Sequence, residues 1–443
     1  MSATIGFISL GCPKNQVDAE LMLSRLVGAG YKLSESPIDC DVVIINTCAF
    51  IDDAKKESID NIIEMGEIKK DGDIKKIVVT GCLSQRFGEE VLTEMPEVDG
   101  VVGLGANGRI EDVVARVLRG EKVLELPEKT ELPLCGERLL TTPEHWAYLK
   151  IAEGCSNGCS FCAIPSIRGR YRSRSIGELV DEAAKLAARG VRELVLVAQD
   201  TTYYGYDLYG EYSLDKLLAA LAGVEGISWL RVLYCYPERI TDALIDEIAK
   251  NDKVVKYLDI PIQHADADVL RRMGREGDLT QILALVAKLR ERIPGIALRT
   301  TVMTGFPGET EEAFGKLQEL VERARFDKLG VFAYSQEEGT PAGRMDCQID
   351  DETKLRRKEL IEEKQAAIQA ELQRDRIGGE FVAIVEDYDG FSDSYFGRLY
   401  CDAPDIDFSV RFVCPWELSN GEIVRVAVLD VDENGCDLIA EVI

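Results

Sequence analysis

Three cysteines in Gly154-Cys155-Ser156-Asn157-Gly158-Cys159-Ser160-Phe161-Cys162 are spaced C-x3-C-x2-C. Thiolates are the usual ligands of iron–sulfur clusters, and three this close can hold three irons of a cubane. No fourth cysteine lies nearby. The fourth iron would stay open, which suits binding and activating a ligand better than passive electron transfer. The competing readings are a structural zinc site or unrelated core cysteines. Structural zinc sites prefer paired C-x2-4-C halves and four protein ligands.

A second trio is scattered in sequence. Cys12 stands in Leu10-Gly11-Cys12-Pro13-Lys14-Asn15, Cys48 in Asn46-Thr47-Cys48 and Cys82 in Thr80-Gly81-Cys82. Each follows a segment that reads as a strand: Ile5–Leu10, Asp41–Asn46 and Lys76–Thr80. In a parallel sheet the loops after the strands share one edge, where ligands bind. Three thiols distant in sequence therefore converge, again with one iron left open. The alternative is that each is an ordinary buried cysteine. The remaining seven, Cys40, Cys135, Cys235, Cys347, Cys401, Cys414 and Cys436, share no pattern and read as packing.

Other elements must position these thiols. Helical patterns at Val17–Leu26, Lys56–Lys69 and Ile110–Leu118 alternate with the first strands, which argues for βαβ units and a doubly wound sheet. Gly120 to about Cys135 reads as a linker. Apolar runs then recur at Ala147–Ile151, Glu193–Ala198, Trp229–Tyr234, Tyr257–Ile260, Ala297–Met303 and Leu329–Tyr334. Helical stretches such as Gly177–Ala188 and Leu279–Arg292 lie between them. Six βα repeats predict a barrel or partial barrel of parallel strands. Asp351–Arg376 lacks Gly and Pro and should form one long helix. The tail has short alternating runs at Phe381–Val385, Tyr395–Tyr400, Ser409–Phe412, Ile423–Val428 and Asp437–Val442, the pattern of a small all-β barrel. The expected domains are 1–135, 136–375 with its terminal helix, and 376–443.

Bulk composition narrows the function classes. A chain of 443 residues with 46% hydrophobic content can bury sizeable cores. Met1–Gly11 has no basic segment leading into a long apolar run, so no signal peptide is expected. No stretch reaches bilayer length, and no membrane partner is expected. A cytoplasmic protein with 13 cysteines points to metal or redox chemistry over disulfides. Two histidines, His145 and His264, nearly exclude a His-rich metal site. The net charge of −27 repels polyanions at long range and attracts basic proteins, or serves solubility alone.

Cys155-x3-Cys159-x2-Cys162 after a strand, within βα repeats, resembles the radical S-adenosylmethionine enzymes. That resemblance implies a cofactor, S-adenosylmethionine, chelated at the open iron and cleaved by one electron to a 5′-deoxyadenosyl radical. The N-terminal trio and the β-tail together resemble the methylthiotransferase branch over essentially the whole chain. This implies an α/β protein with three parts: a flavodoxin-like N-terminal domain, a partial TIM-like radical barrel and a C-terminal TRAM barrel. It also implies two [4Fe-4S] clusters, one held by Cys12, Cys48 and Cys82 and the other by Cys155, Cys159 and Cys162. Ser9-Leu10-Gly11-Cys12-Pro13-Lys14-Asn15 with Val17-Asp18-Ala19-Glu20 is similar to the RimO type. That type methylthiolates the β-carbon of an aspartate in protein twelve of the small ribosomal subunit. The tRNA-modifying MiaB type usually carries Gln-Met in place of Pro13-Lys14. Ala19 departs slightly from the pattern, where Ser is common.

Several further residues follow from the resemblance. Phe161 lies where an aromatic sits beside the adenine. Gln199 and Asp200 after one strand, and Gly308 and Glu309 after another, occupy segments that contact the cofactor's methionine and ribose. Ordinary turn residues are the alternative reading. Arg168, Arg170, Arg172 and Arg174 share a face if extended; they could hold the cofactor carboxylate, steer the target aspartate or pair with surface acids. His264 lines the site or is a satisfied structural histidine. From Arg376 onward there are 15 acidic and 4 basic residues. An acidic tail suits a basic ribosomal protein, or the assembling ribosome, better than RNA phosphates. The expected partners are that protein, a low-potential electron donor and a sulfur donor, with tRNA disfavoured. The remaining alternative is a non-catalytic iron–sulfur or zinc scaffold that binds ribosomal proteins.

Overall fold

The computed structural model describes residues 3–433 and 435–443. Its first sheet contains β1 (Thr4–Ser9), β2 (Lys32–Leu33), β3 (Cys40–Thr47), β4 (Ile74–Gly81), β5 (Gly100–Val102) and β6 (Val123–Glu125), in the order β2-β1-β3-β4-β5-β6. All pairs are parallel. Val42–Ile45 and Ile77–Val79 are wholly buried, as expected of β-branched runs covered on both faces. This is the flavodoxin-like domain. Helices Pro13–Gly28, Asp52–Asp71, Cys82–Glu94 and Ile110–Leu118 follow β1, β3, β4 and β5. Pro13 sits in the first turn of its helix, where its fixed φ fits and its missing N–H costs nothing. The expected linker after Gly120 needs correction. It begins with β6, an edge strand paired with β5 through a buried Val123. Three residues are too few to show a period.

A second sheet is built from β7 (Trp146–Lys150), β10 (Glu193–Val197), β11 (Trp229–Val232), β12 (Val254–Gln263), β13 (Ala297–Thr304) and β14 (Lys328–Ala333). A small antiparallel pair, β8 (Ala152–Glu153) and β9 (Arg172–Ser173), lies between β7 and β10 in sequence. The order β14-β13-β12-β11-β10-β7 is that of six consecutive parallel strands left open as a partial barrel. One face, with Leu149, Leu194, Leu196, Val232 and Leu258, packs on the surrounding helices. The other face is different. Tyr148, Lys150, Glu193, Arg231, Asp259 and Arg299 alternate with those apolar positions, so the inner face carries a row of charges among aromatics.

Helix Asp351–Arg374 is capped by Asp350, which accepts from the Thr353 amide at 2.8 Å. It leads to a closed barrel of β15 (Glu380–Asp389), β16 (Ser394–Leu399), β17 (Val410–Val413), β18 (Ile423–Val431) and β19 (Leu438–Val442). The barrel core, with Val385, Leu399, Phe412 and Val426, is continuous with Trp146, Val195, Trp229 and Tyr257 on the inner face of the second sheet. Glu193 at the start of β10 bridges Arg231 at 2.7 Å and Arg398 of the barrel at 2.6 Å. Tyr257 donates to Asp407 at 2.8 Å, and Lys328 pairs with Asp402. Among the described residues no helix is long and apolar enough to cross a membrane.

Burial alone would raise the Glu193 carboxyl; Arg398 and Arg231 outweigh it and hold it below the ordinary carboxylate range. Glu193→Gln leaves two buried guanidinium groups short of a counter-charge and should cost about 3–5 kcal/mol, read in calorimetry as a lower first unfolding midpoint. The depressed carboxyl contributes stability that is complete above about pH 4.3 and is lost as pH falls through the folded value. Between pH 6 and pH 3 the native chain should therefore lose more stability than Glu193→Gln. Equal losses in the two proteins would contradict this account.

Candidate functional site

The first trio of cysteines sits on one edge of the first sheet. Cys12 caps helix Pro13–Gly28, Cys48 follows β3, and Cys82 opens helix Cys82–Glu94. β1, β3 and β4 are adjacent, so the three loops meet. The turn before Cys82 requires glycine: Gly81 has φ +98°, and a Cβ there would collide with the Thr47 carbonyl oxygen. The Asn15 amide nitrogen donates to the Leu10 carbonyl at 2.6 Å, and the Asn46 amide nitrogen donates to the Asn15 carbonyl at 2.9 Å. Ser58 Oγ accepts from the Cys48 amide at 3.0 Å and donates to its carbonyl at 2.8 Å. Burial raises the Cys48 thiol and pushes Cys82 up to about 12. Burial also raises Cys12, but the charges of Lys14 and Arg168 win and its net shift is downward.

The second trio lies in the loop between β8 and helix Ile164–Arg168. Cys155 and Cys159 are buried and Cys162 is partly so. Gly154 has φ +75°, and a Cβ there would strike the Arg170 carbonyl oxygen. The Ser160 amide donates to the Met273 carbonyl at 2.9 Å and its hydroxyl to the Arg272 carbonyl at 2.7 Å. Tyr236 Oη is 3.5 Å from Cys159 Sγ, and the Arg275 guanidinium covers the Tyr236 ring at 4.0 Å. Burial pushes Cys155 up to about 11 and Cys162 up to about 12. Among the described residues no three His, Cys, Asp or Glu side chains converge tightly enough to hold a single metal ion. A cubane instead spreads its thiolates over separate corners. Soft thiolates with no imidazole or carboxylate among them fit iron–sulfur chemistry.

The other expected contacts divide. Phe161 is half-buried against the core of the second sheet. Gln199 Nε2 donates to Glu153 at 3.4 Å, while its Oε1 is buried with no protein donor, as a cofactor amino group would require. Asp200 is fully committed within the protein. It accepts from Asn157 of the cysteine loop at 2.9 Å, Arg239 at 2.7 Å, the Thr202 hydroxyl at 2.6 Å and the Tyr203 amide at 3.2 Å. Burial raises its carboxyl against these donors. The Gly308 amide donates to the Cys347 carbonyl at 2.7 Å, and its own carbonyl accepts from Arg272 at 2.9 Å. Glu309 is buried, bonded to the Gly305 amide and 3.0 Å from Arg357. His264 is the satisfied structural histidine: Nδ1 accepts from the Asp266 amide at 3.0 Å, so Nε2 carries the proton toward Glu309 at 3.2 Å.

The arginine run is not one extended face, because Arg168 ends a helix and Arg172 lies in β9. Nor is it simply a surface feature. Arg174 is buried and pairs with Glu182 at 2.7 Å. Arg168 is 1% exposed and reaches Asp18 of the first domain at 2.9 Å, Glu153 at 3.0 Å and the Asn15 side-chain oxygen at 3.3 Å. Lys150 completes the group, bonded to Asp18 and 3.0 Å from Glu153. Lys14 Nζ lies 3.5 Å over the ring of Tyr234, a residue held at φ +60°. The sequence reading missed Lys150, Glu153, Tyr234, Tyr236, Arg239 and Arg275 as site neighbours. A lysine and a glutamate at the end of an otherwise apolar strand were the available signal. The packing reading of the seven spare cysteines holds for Cys40, Cys235 and Cys401, which are buried, and fails for Cys135 and Cys347, which are exposed.

Comparison with known proteins gives three matches along the chain. Residues 4–103 match the uncharacterized protein family UPF0004, 149–321 the Radical SAM superfamily and 377–443 the TRAM domain. A ribosomal protein uS12 methylthiotransferase RimO from Caldanaerobacter subterraneus subsp. tengcongensis is 48% identical over 99% of both chains. One from Clostridium tetani is 45% identical over 97% of this chain and 96% of its own. Among solved structures, the radical S-adenosylmethionine methyltransferase TsrM from Kitasatospora setae, with cobalamin and a [4Fe-4S] cluster bound, superposes with TM-score 0.57 at 15% identity over 77% of each chain. The cobalamin-dependent radical enzyme OxsB gives TM-score 0.51 at 12% identity over 82% of this chain and 56% of its own. These two show a shared fold. With one trio of cysteines at the strand ends of the first sheet and the other in the loop after β8, the chain belongs to the RimO family of radical S-adenosylmethionine methylthiotransferases, enzymes whose cofactors are S-adenosylmethionine and [4Fe-4S] clusters.

Proposed function

We propose that this chain inserts a methylthio group at the β-carbon of an aspartate in ribosomal protein uS12. The observation that carries the reading is the pair of cysteine trios, one at the carboxyl edge of the first parallel sheet and one in the loop after β8, with Arg168 of the helix after that loop reaching Asp18 and Asn15 of the first domain. Cys155, Cys159 and Cys162 would hold one [4Fe-4S] cluster, and Cys12, Cys48 and Cys82 the other. The clusters and S-adenosylmethionine, when bound, supply the one-electron chemistry and the sulfur that no side chain provides.

The chain's own residues bind, orient and exclude water. Phe161, half-buried beside the cysteine loop, would flank the adenine, and Gln199, with its Oε1 buried and unpartnered, would accept from the cofactor's amino group. Asp200 ties the cysteine loop to β10 through Asn157 and Arg239. Gly308, whose backbone is tied to Cys347 and Arg272, and Glu309, bonded to the Gly305 amide, would act on the cofactor by shaping the loop after β13. The working division is 1–135 for the sulfur-carrying domain, 136–375 for the radical domain and 376–443 for substrate docking. The acidic barrel suits a basic ribosomal protein, free or on the assembling ribosome, in the cytoplasm. It disfavours tRNA, because phosphate binding needs a basic face. An electron donor of low potential and a sulfur donor complete the reaction.

The test is anaerobic. Reconstituted protein with S-adenosylmethionine, a reductant and uS12 should give a methylthio adduct on one aspartate by mass spectrometry. Loss of all product with both clusters present would sink the reading. Cys12→Ala should abolish the adduct and lower iron from about eight to about four per chain, while cleavage of S-adenosylmethionine persists. Gly81→Ala should lose the same four irons although every thiol remains, because its turn cannot form; eight irons in that variant would show the turn is dispensable.

A further inference from the structure

We propose that Arg168, supplied by the radical domain, is a positioning residue for the N-terminal cluster, and that its charge sets that cluster's reduction potential. This rests on the assignment of Cys12, Cys48 and Cys82 made above. Arg168 lies six residues beyond Cys162, at the end of a five-residue helix. Ala163 and Ile167 of the same segment are packed into the apolar core of the first domain beside Cys82 and Leu83. The guanidinium is thereby delivered across the domain boundary. Its side chain stands within hydrogen-bond reach of Cys82. Its Nη2 also bonds Asn15, whose amide nitrogen fixes the loop carrying Cys12.

Arg168 and Lys150 are two cations; Asp18 and Glu153 are two anions. All four are at most 1% exposed. The quartet is neutral, with its guanidinium end turned to the thiols. Removing Arg168 leaves a buried net charge of −1 next to an anionic cluster. Removing the charge of Asp18 leaves +1. In a low-dielectric interior such charges act strongly and are little screened. The cluster couple takes up one electron, so a nearby cation favours the reduced form and a nearby anion opposes it. Arginine holds its charge at every accessible pH, so the effect should not vary with pH through this group.

The experiment uses full-length anaerobic protein carrying Cys155→Ala, Cys159→Ala and Cys162→Ala, so that the N-terminal cluster alone is observed. Electron paramagnetic resonance at controlled potentials reads its midpoint. Arg168→Met should lower the reduced-to-oxidised ratio at a fixed potential at least tenfold, a shift of about 59 mV downward for one electron. Asp18→Asn should shift it upward. Arg168→Lys should stay near the parent. A purely structural role would not give opposite signs for two neighbours in one network. Unchanged midpoints, or shifts of the same sign in Arg168→Met and Asp18→Asn, overturn the inference while leaving the cluster assignment intact. Absence of iron from the parent triple variant overturns the assignment and the inference with it. If Arg168→Met fails to fold, the upward shift of Asp18→Asn and the parent-like midpoint of Arg168→Lys decide the matter.

Discussion

Charge buried between domains must be balanced on the spot, and this constraint organises the molecule. An ion removed from water costs several kcal/mol unless partners surround it. The inner face of the second sheet nevertheless carries ionised groups from end to end. At the amino end Glu193 is matched by Arg231 and by Arg398 of the terminal barrel. Further along, Asp259 is matched by Arg299 at 2.9 Å. At the carboxyl end Lys150 and Glu153 are matched by Asp18 and Arg168. Each balance draws partners from more than one strand or domain. The three domains are held in one register where these pairs cross between them, at Lys150–Asp18, Arg168–Asp18 and Glu193–Arg398. Geometry this specific also fixes where two thiol trios stand relative to each other.

Arg231 shows how tightly the balance is drawn. Its Nη2 has no hydrogen-bond acceptor, yet the guanidinium lies 4.8 Å over the Tyr257 ring. The ring face takes the place of a third acceptor. The same economy recurs near the first trio, where Lys14 covers Tyr234. Cations at both ends of the inner face lean on aromatics that the strands present at alternate positions.

Much of this was legible in the sequence. The C-x3-C-x2-C spacing, three cysteines after three predicted strands, and a tail of short alternating runs gave the three layers and their order. Helices Ile110–Leu118 and Leu279–Arg292 were delimited to the residue because their apolar faces are continuous. What stayed hidden was the inner face. Glu193, Arg231, Asp259 and Arg299 each stand singly among apolar neighbours, and a lone charge in a run signals nothing about its partner. Pairing joins residues as far apart as Glu193 and Arg398, so only the folded chain reveals it. The role of Arg168 was hidden for another reason: the short helix that aims it has five residues, too few to register as a period.

The terminal barrel sits on the inner face of the half-open sheet, with Trp146, Val195 and Trp229 forming a continuous core with it. It is therefore the floor of the vessel whose rim bears the cysteines. Shortening the chain before Glu380 would do more than remove a separate domain. It would expose the guanidinium of Arg231 and the carboxylate of Glu193 to water, together with the apolar residues Trp146, Val195 and Trp229 that the barrel covers. That last domain is thus bound by what it seals within: its outer strands are freer to vary than the residues that meet Glu193 and Trp229.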